Sequence, residues 1–288
     1  MIDIEIGRRN YLLYLLLPHL SKTSLLTGDS RLKLDRINQL VNEAIHSGER
    51  ATSYDQAHRY DEEEQLEYPT RVLVTETWAP GGYGRVLEIG AGTGYFTAMI
   101  ARRAESVVAL EPVADLRKIL KARCEADGIT NVEAVGTPAE ALATSVRESS
   151  IDSALVIQSL HHLHRRPALF EALGRVVRPG GRLFIVEPHH NVRRAVRLLR
   201  HYLTTYRARD FWTNERNWAT HDFVTRGELR ALCRSGGFEV IRITGHRMPY
   251  SRRVVPDPMA RFRFEQALGA VPVVRHFAAV LALEARRR

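Results

Sequence analysis

The stretch from Arg85 to Phe96, Arg-Val-Leu-Glu-Ile-Gly-Ala-Gly-Thr-Gly-Tyr-Phe, constrains the chain more than any other. It has the form of a buried strand, a glycine turn and a helix start. Val86, Leu87 and Ile89 make a short apolar run in which Glu88 is the only charge, the pattern of a parallel strand covered on both faces until its carboxyl end emerges. Gly90, Gly92 and Gly94 carry no Cβ, so the backbone can take unusual φ values and a ligand can approach it closely.

Spacing separates this turn from other nucleotide-binding turns. A dinucleotide fingerprint needs its third glycine five positions after the first, and Tyr95 stands there. A phosphate loop needs a following Gly-Lys-Ser/Thr, which is absent. The pattern acid-x-Gly-x-Gly-x-Gly, from Glu88 to Gly94, resembles the first motif of the class I S-adenosylmethionine-dependent methyltransferases. A second acid has fitting spacing: Ser106 to Leu110 is another apolar run, closed by Glu111 and Pro112, where a second parallel strand presents a carboxylate to ribose hydroxyls. Ile151 to Ile157 is similar to the family's fourth-strand motif, and Val177-Arg-Pro-Gly-Gly-Arg-Leu-Phe-Ile-Val-Glu-Pro188 to its turn into strand five. The resemblance covers roughly residues 84 to 188.

From position 84 the chain alternates strand and helix, which implies a parallel sheet with right-handed crossovers and a ligand cleft at the carboxyl ends of the strands. Strands are expected at Asn131–Val135, Asp152–Ile157 and Arg182–Glu187, with helices at Tyr95–Arg103, Val113–Asp127 and Leu169–Val177. Pro179-Gly180-Gly181 reads as a turn. Glu239–Ile243 and Phe277–Ala285 read as closing strands in an antiparallel hairpin, as family members have. The expected fold is therefore α/β: a Rossmann-like, seven-stranded, mostly parallel sheet with helices on both faces. Residues 1–80 read as a helical extension or lid, with an apolar stripe from Leu32 to Ile45, and 81–288 as the cofactor-binding domain. A helical lid is expected at about 189–224, rich in Arg and aromatics; its Arg193, Arg194, Arg197 and Arg200 recur on one helix face. Such a face is usually solvated and less often a wall for an anionic acceptor or nucleic acid.

The resemblance implies S-adenosyl-L-methionine as cofactor. Glu88 would help hold its ammonium, Gly90, Ala91, Gly92 and Gly94 would pass under its methionine part, Glu111 and Pro112 would meet the ribose, and Gln158 would sit beside the methionine end. At the adenine end family members often place an acid and then Ala; here Gly136-Thr-Pro-Ala-Glu140 keeps Ala139 but puts Pro138 where the acid belongs, leaving Thr137 or Glu140 for the polar contact. Methyl transfer is an in-line displacement in which the protein mainly aligns the reactants. Where a base is needed, His161 and His162 beyond strand four are the catalytic candidates, then His189 and His190 beyond strand five. Tyr54, His58, His189, Tyr206 and Trp212 are candidates for lining the acceptor pocket.

The net charge of +9 fits an acidic partner only weakly. Base-amino methylation of RNA needs a polar-Pro-Pro/Leu-aromatic turn after strand four, and Gln158-Ser-Leu-His-His-Leu163 has none. A small-molecule acceptor therefore leads, with RNA, protein or a non-catalytic cofactor-binding module as alternatives. His161, His162 and His164 make no strong zinc signature, so no metal is expected. Cys124 and Cys233 are far apart, as in a reduced, cytoplasmic protein. Arg8, Arg9 and the run Tyr11–Leu17 imitate an export leader, but Asp3 and Glu5 dilute its charge and no small-x-small site follows. The run is too short to span a membrane and reads as a buried or lid helix. A homodimer is compatible with the sequence, which sets no oligomeric state.

Overall fold

The computed structural model describes residues 16–22, 43, 46–57, 68–205 and 222–288. His58, Tyr206 and Trp212, most of the Leu32–Ile45 stripe and most of the Tyr11–Leu17 run lie outside the described residues. Seven strands form one sheet: β1 (Gly84–Ile89), β2 (Ala104–Leu110), β3 (Val132–Val135), β4 (Ile151–Ile157), β5 (Val177–Pro188), β6 (Phe238–His246) and β7 (Val280–Arg287). Their order is β3-β2-β1-β4-β5-β7-β6. The first five run parallel, and β7 is antiparallel to both β5 and β6.

Among the described residues three short helices precede the sheet: α1 (His19–Lys22), α2 (Glu49–Ala57) and α3 (Tyr68–Val72). The crossovers carry α4 (Tyr95–Ala101), α5 (Ala114–Ala126), α6 (Leu142–Ser145) and α7 (Arg166–Val176). Beyond β5 come α8 (Val192–Thr205) and α9 (Arg226–Ser235), and beyond β6 α10 (Ser251–Val254) and α11 (Pro258–Ala270).

Period-two burial puts an apolar layer on each face of the sheet. Leu87, Ala154, Val156, Leu183 and Ile185 pack toward α7 and α9, while Val86, Leu155, Phe184 and Val186 pack toward α4, α5 and Phe262 of α11. A strand covered on both sides must be apolar at every position, which is why the central strands read as unbroken apolar runs.

Two expectations need correction. Pro179-Gly180-Gly181 does not separate helix from strand: β5 begins at Val177. Its pairing with β4 jumps from Ile151↔Val177 to Ser153↔Arg182, so extra β5 residues bulge out and absorb the Pro-Gly-Gly unit inside the strand. The long helix α11 between β6 and β7 was not expected, because its thirteen residues carry apolar groups on no single stripe.

Candidate functional site

The chain order reverses between β1 and β4, and the cleft lies beyond the carboxyl ends of those strands. It measures about 620 Å³ and is walled by Gly90, Gly92, Glu111, Ala139, Gln158 and His162 among others. Gly90, Gly92 and Gly94 have φ of 70°, 57° and 81°. A Cβ on Gly90 would stand 2.4 Å from Ser159 Cβ, whereas one on Gly92 would meet nothing within 4 Å. The first glycine thus lets β1 approach the loop after β4, and the second leaves the cleft floor bare.

Glu111 closes β2 and is 5% exposed. Its Oε2 accepts from Gly92 N–H and its Oε1 from Val113 N–H, both at 2.9 Å. Burial raises its pKa, and those two backbone hydrogen bonds oppose the rise. Each oxygen keeps a lone pair for a ligand hydroxyl. Glu88 is placed differently. It is 2% exposed, stands behind the turn off the cleft wall, and accepts from Thr97 Oγ at 2.6 Å. Burial pushes its carboxyl up to about 8, so it holds a proton at neutral pH. The hydrogen bond from Thr97 ties α4 to β1 beneath the turn.

Pro112, Thr137 and Ala139 line the cleft, with Thr137 Oγ accepting from Ser145 Oγ at 3.0 Å, while the Glu140 side chain lies outside the described residues. Tyr54 of α2 also lines it, its ring edge-on to His46 at 4.8 Å. Ala91 is buried beside the turn, in the apolar layer that includes Val86. The N-terminal segment is anchored at this side: Asp55 pairs with Arg123 at 2.7 Å, and Gly48 N–H donates to Asp115 at 2.8 Å.

Glu187 at the end of β5 was quoted in the sequence pattern without a role, and the structure makes it central. It is fully buried; Oε1 accepts from Ser159 and Leu160 N–H at 2.7 and 2.6 Å, and Oε2 holds His161 Nδ1 at 2.7 Å. Its signal was present, since Glu187-Pro188 repeats at β5 the Glu111-Pro112 that ends β2.

A second cavity of about 550 Å³ adjoins the first, and Gln158, with φ 51°, lines both. His189 is on its wall; neither His161 nor His162 is. His189 Nδ1 faces the Ala278 carbonyl at 2.9 Å. A carbonyl only accepts, so the proton is on Nδ1 and the lone pair on Nε2. Burial lowers this imidazole to about 4 and keeps it neutral. His190 instead meets the Leu16 carbonyl at 2.9 Å.

His19, His164 and Asp222 also converge, but both His19 nitrogens are engaged, Nδ1 with Asp222 at 2.7 Å and Nε2 with the His164 carbonyl at 2.8 Å. That arrangement clasps α1 to the segment before α9. Among the described residues no helix is long and apolar enough to cross a membrane.

Residues 87–185 match the family model described as a methyltransferase domain. An uncharacterised methyltransferase of Mycobacterium tuberculosis is 36% identical over 107 residues, 37% of this chain and 41% of that protein. The match thus spans about two-fifths of that relative. A ubiquinone biosynthesis O-methyltransferase of Ralstonia nicotianae is 26% identical over 186 residues, 62% of this chain and 72% of that protein. Among solved structures, the [4+2]-cyclase SpnF aligns with a TM-score of 0.52 at 20% identity, covering 76% of this chain and 79% of that one.

Proposed function

We propose that this chain is a class I S-adenosylmethionine-dependent methyltransferase that methylates a small molecule seated in the second cavity, with the cofactor in the first. The observation that carries the reading is the meeting of the two cavities at Gln158. The fold is shared with a cyclase, so fold alone does not set the reaction.

The cleft suits the cofactor on its own evidence: a bare Gly92 on the floor and a buried Glu111 carboxylate with spare lone pairs at the end of β2. When bound, S-adenosylmethionine supplies a sulfonium methyl: the acceptor's lone pair forms the new bond to carbon while the carbon–sulfur pair stays on sulfur as a neutral thioether. Glu111 accepts the ribose hydroxyls while holding the turn through Gly92 and Val113. Ala139 N–H and the Thr137 hydroxyl take the adenine end, and Gln158 lies beside the transferring methyl. Glu88 acts through the turn as a positioning residue.

The acceptor's own X–H group meets His189 Nε2, which accepts a hydrogen bond, and its proton passes on to solvent because an imidazole with pKa about 4 does not retain it at pH 7. His161 positions the loop after β4 through Glu187, and His162 borders the cofactor. Among the described residues, Tyr54 and Tyr68 before position 80 and Arg194 and Phe223 within about 189–224 line the two cavities.

Methyl-labelled cofactor incubated with the protein and with separate RNA, protein and metabolite fractions tests the reading. Label in the metabolite fraction is expected. Label confined to RNA or protein, or none together with tight cofactor retention, overturns it.

A further inference from the structure

Six side chains on the wall of the second cavity are arginines: Arg193, Arg194 and Arg197 from α8, and Arg247, Arg252 and Arg261 from the segment β6 to α11. Among the described residues Glu265 is the one acid on that wall. It is 2% exposed and committed to the backbone: Oε2 accepts from Arg247 N–H at 2.7 Å, while Oε1 accepts from Met248 N–H at 3.1 Å and from Ser251 Oγ. It therefore shapes the loop after β6 more than it offsets the cavity's charge.

That loop is held in an uncommon conformation. Arg247 and Tyr250 have φ of 60° and 63°, and with Gln158 they make three positive-φ residues with side chains on one cavity wall. Such conformations persist where the surroundings enforce them, and they gather at ligand sites. Arg194 is buried with its guanidinium 3.5 Å from the centre of the Phe223 ring. Burial and the neighbouring Arg197 push its pKa down to about 9. Several guanidinium groups lining one cavity give an entering anion charge-assisted donors of a single sign. The wall also carries the apolar and aromatic side chains Tyr68, Phe223, Met248 and Phe262, beside the polar Gln158, His189, Asn191 and Ser251.

We propose that the methyl acceptor is a small organic anion, carrying a carboxylate or phosphate that the arginines hold, with its apolar body against Phe223 and Phe262 and its nucleophilic atom toward Gln158. This rests on the methyltransferase reading, which places the acceptor in that cavity. Guanidinium groups bind either head group through paired charge-assisted hydrogen bonds, so carboxylate and phosphate are two forms of one chemistry.

Calorimetric titration of the full chain at matched ionic strength separates the cases, with phenyl phosphate, benzoate, benzyl alcohol and choline as probes and S-adenosylmethionine titrated separately. Saturable binding of phenyl phosphate or benzoate is expected, with no binding of the neutral or cationic probe; the tighter anion names the head group. Arg247→Gln with Arg261→Gln should weaken the anion by about tenfold or more and leave cofactor affinity within about twofold. If that double variant fails to fold, Arg252→Gln, on an exposed side chain, carries the same test. Failure of both anions to bind, or equal binding by a folded variant, overturns the inference. So does an RNA oligonucleotide that displaces phenyl phosphate and binds far more tightly. Anion binding without cofactor binding would instead defeat the methyltransferase reading, so the two failures are distinguishable.

Discussion

Alanine at Gly90 and at Gly92 should have opposite consequences, although the two glycines are two positions apart in one turn. Both have positive φ, at 70° and 57°, where an L side chain costs about 1–2 kcal/mol. At Gly92 the cost ends there, because the added methyl meets nothing within 4 Å. At Gly90 the methyl falls 2.4 Å from Ser159 Cβ and 3.0 Å from its Oγ. Ser159 cannot easily retreat, since its Oγ donates to the Ile89 carbonyl and its N–H to Glu187, each at 2.7 Å. Overpacking adds about 1–3 kcal/mol and a broken hydrogen bond about 0.5–1.5, so Gly90→Ala should lose about 3–6 kcal/mol in all. Such a loss is a large part of the roughly 5–15 kcal/mol that holds a domain folded. Gly92→Ala should stay folded and lose cofactor affinity, because its methyl occupies the bare floor of the cleft. Urea unfolding followed by tryptophan fluorescence gives the first quantity and cofactor calorimetry the second. Equal stability losses in the two variants, or unchanged cofactor affinity in Gly92→Ala, would refute the division of labour.

Glu111→Gln replaces one accepting oxygen with an amide NH₂, which faces either Gly92 N–H or Val113 N–H; about 1–3 kcal/mol of stability should go. Cofactor affinity should fall with it, and a variant binding as tightly as wild type would exclude Glu111 from the site. Glu187→Gln strands donors from Ser159, Leu160 or His161 in a fully buried place, so a loss of at least about 2 kcal/mol is expected in chemical unfolding, and a neutral result would contradict the bonding described. Stability should also change with pH on both sides of neutrality. Glu88 is raised from 4.5 to about 8, so the stability gained by keeping its proton is complete below 4.5 and lost as pH rises through 8. His189 and His246 are lowered from 6.5 to about 4, so they act in reverse and cost stability as pH falls from 6.5 toward 4. Glu88→Gln should therefore flatten the loss between pH 6.5 and 8 and steepen the fall below 6.5, where Glu88 no longer offsets the two histidines; urea midpoints from pH 4.5 to 8 check it, and an unaltered alkaline slope would count against a protonated Glu88.

What could be read from the sequence was local. The run Val86–Ile89, the glycines after it and the acid at 111 all lie within one strand–turn–helix–strand unit, where periodicity and turn chemistry act directly. The second cavity has no such local signature. Arg193 and Arg197 stand fifty or more positions before Arg247 and Arg252, and they share a wall because β5 and β6 both run antiparallel to the β7 between them and so end on the same edge of the sheet. The regular spacing of arginines in α8 showed a shared face, yet it could not show that Arg194 is buried against Phe223 while Arg193 and Arg197 stay exposed. His161 and His162 show the same limit. Their position after β4 was legible, but not that His161 is held by the carboxylate of Glu187, twenty-six residues away, while His162 borders the first cavity.

The two cavities have opposite electrostatic character, and this bears on how donor and acceptor are kept in order. Among the described residues the first carries Glu43, Glu111 and Arg165 on its wall, and the second six arginines with Glu265. A sulfonium cofactor carries positive charge at the transferring end, so the arginine wall disfavours it in the acceptor's place. For single charges 4 Å apart the interaction is about 1 kcal/mol in water and about 4 kcal/mol at the effective dielectric of a partly buried site. Enclosure therefore turns a weak preference into sorting. An anionic acceptor is drawn the other way, and it meets the sulfonium only at Gln158, where the two spaces join. Transfer then cancels the attraction, because the methyl leaves sulfur as an uncharged thioether. On this account raising the ionic strength should weaken acceptor binding more than cofactor binding, since three of the six arginines, Arg193, Arg197 and Arg252, are exposed to solvent.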